Sequence, residues 1–248
     1  MSYKDNFSTQ SSQYQKFRPH YSPEIYAFIL EQSLGKALLW DCATGNGQVV
    51  RALAPHFQKV WASDASAAQL SKAPAIPNVH YHQGLASESG LAAQSCDLIT
   101  VAQALHWFAE DAFYDEVRRV ARPGAQLITW GYGLMHIQPQ VDALVSYVYK
   151  DILGDKFWDP ERKLVEAKYE TIYFPFENLA SPTFQITYEW NLEQVLGYIN
   201  TWSAFQKYLV QSSENPLEAL RSEFEKVWGP QLESKRVTWD IFMKRAQL

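Results

Sequence analysis

Short apolar runs, separated by glycine, proline and polar turns, dominate the first half of the chain. "ALLWD", "KVWASD", "NVHYHQG", "CDLITVAQ" and "AQLITWGYG" each read as a strand, because parallel strands covered by helices carry near-continuous apolar stretches. Between them lie segments of helical spacing: "GQVVRAL", stopped by Pro55; "SAAQLSKA"; and "FYDEVRRVA", stopped at Arg122-Pro123-Gly124. A first helix is announced by Ser22 as N-cap with Pro23 at its first position, and Gly35 ends it. Strands alternating with helices predict βαβ units and a Rossmann-like, doubly wound, mainly parallel α/β sheet.

The pattern changes after residue 133. Pro139 opens a helix carrying Val141, Leu144, Val145, Val148, Tyr149 and Ile152 at helical spacing, with Gly154 where its C-cap belongs. Another helix starts at Asp159-Pro160. "FQITYEW" alternates as a strand, Asn191 caps the helix after it, and Asn215-Pro216 begins a helix closing at Gly229. The final "KRVTWDIFMKRAQL" alternates again, which brings the sheet to seven strands. No linker separates the halves, so residues 1–248 are expected to form one domain. Residues 36–133 make its core, residues 134–232 a helical cap rich in tryptophan, and residues 234–248 a closing strand.

Composition narrows the class. Hydrophobic residues make up 47% of the 248 positions, enough for a sizeable core, and the formal net charge of -5 argues against a nucleic-acid partner. Arg118, Arg119 and Arg122 cluster, but on a helix whose other face is apolar, and read as a solvated face. Cys42 and Cys96 read as reduced core residues. The polar N-terminus lacks a signal-peptide apolar region, and no run approaches the roughly 18 apolar residues of a membrane span. A cytoplasmic protein with no membrane partner is expected.

The chemistry centres on "DCATGNGQ", residues 41–48, where the first strand breaks into a glycine turn. In open α/β sheets ligands bind beyond the carboxyl ends of the strands. Gly45 and Gly47 supply conformational freedom and room for close approach. A dinucleotide site favours G-x-G-x-x-G, and its third glycine is Val50 here. Asp64, ending the second strand, is placed to accept hydrogen bonds from ribose hydroxyls and so points to an adenosine ligand. Asp41, directly before the turn, suits a cationic ligand and is awkward for a pyrophosphate, since like charges disfavour each other. Its alternative role is a cap bonded to turn amides.

These segments, from "FRPHYSPEIYAFI" through "LLWDCATGNGQ", "WASDAS" and "CDLITVAQALHWF" to "RPGAQLITWGYG", resemble the class I S-adenosylmethionine (SAM)-dependent methyltransferases. "AQALHWF" with "WGYG" is similar to the small-molecule branch that includes the trans-aconitate methyltransferase-like enzymes. The resemblance implies that Asp41, Ala43, Gly45 and Gly47 line the methionine end of SAM, Ala43 standing where glycine is common. It implies that Asp64 holds the ribose, with Ala65 beside the adenine, and that Leu85 and Ala86 occupy the adenine loop. There the Leu85 side chain cannot accept the adenine amino proton, so Ser87 or Glu88 is a substitute. Gln103 would meet the methionine ammonium through its carbonyl. Tyr14 and Arg18 resemble a segment folding over the cofactor, Arg18 toward the methionine carboxylate.

The expected reaction is methyl transfer from SAM to a small-molecule acceptor, with a carboxylate giving a methyl ester favoured. His106 is the candidate catalytic residue, as a base or as a hydrogen-bond donor to an anionic acceptor; the other reading is a histidine that orders its loop. Trp107, Trp130 and Tyr132 are candidate walls of the substrate pocket, with Trp202 a further candidate. His80 and His82 share a strand face, but no third ligand stands near, so no metal is expected. The Asp/Asn-Pro-Pro-Tyr signature of nucleobase or glutamine amino methylation is absent. Two rivals stay open: an NAD-dependent oxidoreductase and a non-catalytic SAM-binding protein.

Overall fold

Alternation within the strands sends neighbouring residues to opposite faces of a single sheet, and each face has its own core. The computed structural model describes residues 17–212, 214–230 and 232–248. The elements in order are α1 (Pro23–Gln32), β1 (Leu38–Cys42), α2 (Gln48–Leu53), β2 (Lys59–Asp64), α3 (Ala67–Leu70), β3 (Val79–Gln83), β4 (Cys96–Ala102), α4 (Asp111–Val120) and β5 (Ala121–Tyr132). Then follow α5 (Pro139–Tyr147), α6 (Gly154–Phe157), α7 (Arg162–Glu166), β6 (Phe184–Trp190), α8 (Leu192–Asn200), α9 (Ser203–Gln211), α10 (Pro216–Ala219), α11 (Arg221–Trp228) and β7 (Lys235–Gln247).

The seven strands lie in the order β3-β2-β1-β4-β5-β7-β6. β1 to β5 are parallel, whereas β7 is antiparallel to both β5 and β6, so the sheet is mixed. Strand order reverses between β1 and β4, and the crevice that this reversal opens lies beyond their carboxyl ends. Leu39, Leu98 and Ile128 point into one core with α1, α2 and the helices of the second half. Trp40, Ile99 and Leu127, one residue on or back, point into the other core with α4 and Tyr169. Both faces are thus covered, as the continuous apolar runs require.

Local departures from the expected elements have identifiable causes. Arg122-Pro123-Gly124 does not precede the fifth strand but forms a bulge inside it: Ala121 already pairs with Cys96, and Gly124 turns with φ 83°. A bulge accepts a proline because an extra residue is left out of the ladder. The helix opened at Pro139 changes to a π-helix over Val148–Leu153 before Gly154. The helix expected from Asn215 to Gly229 is broken at Leu220 into α10 and α11. Asn191 caps α8 in a full capping box with Gln194. Arg118, Arg119 and Arg122 each meet a carboxylate, from Asp115, Glu116 and Asp97. Cys42 and Cys96 are free and buried. Among the described residues no helix is long and apolar enough to cross a membrane.

Gly131, in β5, illustrates how tightly the crevice end of the sheet is packed. A Cβ there would meet Gln103 Oε1 at 2.7 Å and the Phe242 ring at 2.8 Å. Gly131→Ala is expected to lower stability by about 1–3 kcal/mol through overpacking. Chemical denaturation checks it: the midpoint falls with an unchanged slope, and an unmoved midpoint would contradict the packing.

Candidate functional site

The crevice holds a cavity of about 1080 Å³ lined from the ends of β1, β2 and β4, from the loop after β3 and from the helical second half. At its floor is Asp41, whose residue is 1% exposed. Its carboxylate accepts the Thr44 hydroxyl at 2.6 Å on Oδ2 and the Thr100 hydroxyl at 2.7 Å on Oδ1. Thr100 faces Asp41 across the β1–β4 ladder. No turn amide reaches the carboxylate, so the amide-capping alternative is not what the structure shows. Burial, opposed by the two hydroxyls and aided by Asp64, pushes the Asp41 carboxyl up to about 6.

Asp64 performs the task considered for Asp41. Its Oδ2 accepts the Gly45 amide and its Oδ1 the Ser66 amide, both at 2.8 Å, tying the end of β2 to the glycine turn. Gly45 turns with φ 57° and faces open cavity: a Cβ there would meet nothing within 4 Å. Gly47 differs. With φ 79° it starts α2, and its missing Cβ would point at Pro74 and Tyr81, so it shapes the turn without lining the cavity.

Two non-glycine residues on the rim, Ala43 and Gln103, also take left-handed backbone, with φ 55° and 54°. Such residues persist only where their surroundings over-determine them. For Gln103 the determinant is visible. Its side-chain amide donates to the Tyr132 carbonyl at 2.9 Å and accepts the Tyr132 N–H at 2.8 Å, extending the β4–β5 ladder past the last strand residue. The side chain is therefore committed, and the role implied for Gln103 falls to its carbonyl alone.

Of the other expected residues, Ala65, Leu85, Ala86, Arg18, His106, Trp107 and Tyr132 all border the cavity. Arg18 reaches it from the helical side, with Nη2 on the Thr201 carbonyl at 3.2 Å and its guanidinium 5.6 Å from the Tyr198 ring centre. Tyr14 lies outside the described residues. Trp130 requires correction: it is fully buried, edge-on to Tyr21 at 5.4 Å, and borders no part of the cavity. Its indole faces the core side of β5, where packing outweighs any ligand contact. His80 and His82 stack on Trp61, and among the described residues no group of three His, Cys, Asp or Glu is arranged to hold a metal.

His106 sits in a short 3₁₀ turn after β4, buried, with Nδ1 2.9 Å from the Tyr169 hydroxyl and its ring 4.8 Å from that of Trp107. Burial first, and the nearby Arg162 guanidinium second, push its pKa down to about 3. Tyr169 occupies a left-handed position, φ 59°, next to Lys168, φ 49°. Opposite His106 the second half adds Trp158, Arg162, Tyr198 and Trp202 to the wall. Periodicity alone did not single out Thr44, Thr100, Tyr169 or Arg162. Only Thr100 left a trace, as a polar residue inside the otherwise apolar "LITVA" run.

Known proteins resemble this chain at both sequence and structure level. A family model described as a methyltransferase domain matches residues 40–129. A Dictyostelium discoideum protein carrying a provisional methyltransferase name is 34% identical over 229 residues, spanning 91% of this chain and 87% of that one. The solved structure of a provisionally named type II methyltransferase from Anaeromyxobacter dehalogenans superposes with a TM-score of 0.85 at 37% identity, covering 93% of this chain and 98% of that one. A methyltransferase of Aspergillus candidus is 26% identical over 76% of this chain and 66% of its own length.

The Asp41 carboxyl generates a pH prediction. A carboxyl pushed up to about 6 is ionised above that pH and protonated below it. A cationic ligand favours the ionised form, so SAM affinity is expected to fall as pH drops through 6, and binding at pH 6 should release up to about half a proton that binding at pH 8 does not. Calorimetry in buffers of different ionisation enthalpy measures this release, and Asp41→Asn should abolish it. Equal proton release at both pH values would rule the assignment out.

Proposed function

The chain belongs to the class I SAM-dependent methyltransferases, and from that premise we propose that it methylates the carboxylate of a small molecule to give a methyl ester. The "AQALHWF" and "WGYG" segments favour the branch resembling the trans-aconitate methyltransferase-like enzymes. We read residues 1–248 as one unit: core 36–133, acceptor cap 134–232, closing strand 234–248.

The residues present fit SAM. Two carboxylates, Asp41 and Asp64, border the glycine turn, and the space over Gly45 is open to a ligand. That donor set suits an ammonium and a sulfonium and repels a pyrophosphate, which counts against the NAD reading. Asp41 would face the cationic methionine end, the Gln103 carbonyl the ammonium and Arg18 the carboxylate. Asp64, which already ties the end of β2 to the glycine turn through the Gly45 and Ser66 amides, would hold the ribose. Ala65, Leu85 and Ala86 would flank the adenine. When bound, SAM supplies an electrophilic methyl carbon whose displacement leaves a neutral thioether.

The acceptor class rests on one observation: the histidine beside the reaction centre is kept neutral, its pKa pushed down to about 3 by burial. A group that gives up protons so readily is a poor base near pH 7. An alcohol, phenol or ammonium acceptor needs a base; a carboxylate brings its lone pair already exposed, and no proton moves. The Tyr169 hydroxyl meets His106 Nδ1 at 2.9 Å, and we take that hydroxyl as the donor of the pair. The imidazole proton then resides on Nε2, as a donor to an anionic acceptor. The protein's remaining tasks are to orient the acceptor and exclude water, and positioning of this kind supplies roughly 7–11 kcal/mol in well-oriented cases.

Transfer of labelled methyl groups into a panel of carboxylic acids and alcohols tests this reading. With SAM held saturating, so that the titration of Asp41 at about 6 does not enter the rate, the label should enter the acids as alkali-labile esters with no inflection near the histidine value of ~6.5. His106→Ala should slow transfer roughly 10- to 100-fold, the worth of a charge-assisted hydrogen bond of ~1.5–3 kcal/mol. Alkali-stable product, or a histidine inflection in the profile, would sink it.

A further inference from the structure

Beyond the cofactor residues the cavity ends in a wall of aromatic rings into which a guanidinium is set. The guanidinium of Arg162, on α7, lies 5.4 Å from the ring centre of Tyr149 and 5.0 Å from that of Trp158. Its Nε donates to the Tyr149 hydroxyl at 2.7 Å, and that hydroxyl donates to Glu166 Oε1 at 2.6 Å. Tyr149 itself is carried by the π-helical segment Val148–Leu153. A π-turn inside a helix is frequent at functional sites and re-aims the residues it carries. Arg162 is thus fixed through Nε and through two ring faces, while its terminal nitrogens remain to donate.

Among the described residues no carboxylate lies within ion-pair distance of Arg162, which meets these two rings and the Tyr149 hydroxyl. Other acidic groups do border the cavity. Asp159 is held by Lys207 at 2.6 Å, and Glu161 and Glu110 lie along the rim. Arg162, however, is the charge that acts on His106. Arg162 thus brings positive charge to the His106 turn from the helical second half of the chain. The rings around it are close-set: Trp158 and Trp202 are 5.8 Å apart, and Trp202 is 6.0 Å from Tyr198.

We propose that Arg162 is the acceptor-anchoring residue, taking the carboxylate of an acid whose flat, unsaturated or aromatic skeleton lies between Trp107, Trp158 and Trp202. The inference rests on the reading of this cavity as the acceptor site. A planar guanidinium presents paired N–H groups that match a carboxylate, which an ammonium cannot do. Here the fork is oriented before any acceptor arrives, so little side-chain freedom is lost on binding. The faces of Tyr149 and Trp158 already hold a cation, which argues on charge grounds against an aromatic cage for a cationic acceptor.

The test uses the full chain loaded with S-adenosylhomocysteine. Binding of benzoate, cinnamate and octanoate is measured by calorimetry beside the matching primary amides, for the wild type, Arg162→Lys, Arg162→Gln and Tyr149→Phe. The acids should bind at least tenfold more tightly than their amides, and cinnamate more tightly than octanoate. Arg162→Gln should erase the acid preference, while Arg162→Lys and Tyr149→Phe should reduce it severalfold. S-adenosylhomocysteine affinity should be unchanged in all three, which also verifies folding. In turnover, Arg162→Lys should raise KM for acids with little effect on kcat. No acid-over-amide preference anywhere in the panel, or a preference that survives Arg162→Gln, overturns the proposal. If acids bind through Arg162 but no ester forms, the carboxyl-methylation reading fails and the anchoring role stands. If esters form equally well in Arg162→Gln, the reverse holds.

Discussion

A carboxylate that must remain at the floor of a closed crevice is the constraint around which this site is built. Asp41 is 1% exposed and is stabilised by two threonine hydroxyls, and among the described residues no cation lies within ion-pair distance of it. Burying a charge without a counter-ion is costly, and the rise of its pKa to about 6 measures how incompletely the hydroxyls offset that cost. A cationic ligand relieves the cost. A buried carboxylate without a counter-ion favours a cationic ligand over a diphosphate, and that bias is built into the floor of the sheet.

Holding that floor in place requires the surrounding backbone to be over-determined. Asp64 fastens the glycine turn to β2 through the Gly45 amide, and Gln103 fastens β4 to β5 through both main-chain groups of Tyr132. The left-handed conformations of Ala43 and Gln103 sit where these ties converge. Gly131 is part of the same arrangement, since only a residue lacking Cβ leaves space for the Gln103 amide. The rim is therefore rigid for reasons that lie one residue away from the ligand.

The acceptor end follows a different logic. Trp158, Tyr198 and Trp202 belong with the core on one face of the sheet, whereas Trp107, in the turn after β4, packs against the core on the other. Because β6 and β7 belong to the same sheet as β1 to β5, the second half cannot move as an independent lid without breaking the β5–β7 ladder. His106 is sandwiched between these halves, fixed by Tyr169 on one side and depressed in basicity by burial and Arg162 on the other. Its neutrality is a consequence of the packing of the second half against the first.

Periodicity and turn chemistry were enough to specify the strands, their alternation with helices and the glycine turn, because these depend on residues adjacent in sequence. Asp41, Gly45 and Asp64 were legible for the same reason: each ends a strand or opens a turn. Misreadings occurred where a distant partner decides. Pro123-Gly124 became a bulge because Ala121 finds Cys96, and Trp130 turned inward because alternation along β5 gives the core that face. Thr100 meets Asp41, Tyr169 meets His106, and Arg162 meets Tyr149 only after the chain has closed on itself. Local pattern determines which backbone forms; the charge state of a buried group depends on what tertiary packing brings beside it and on how much water that packing removes.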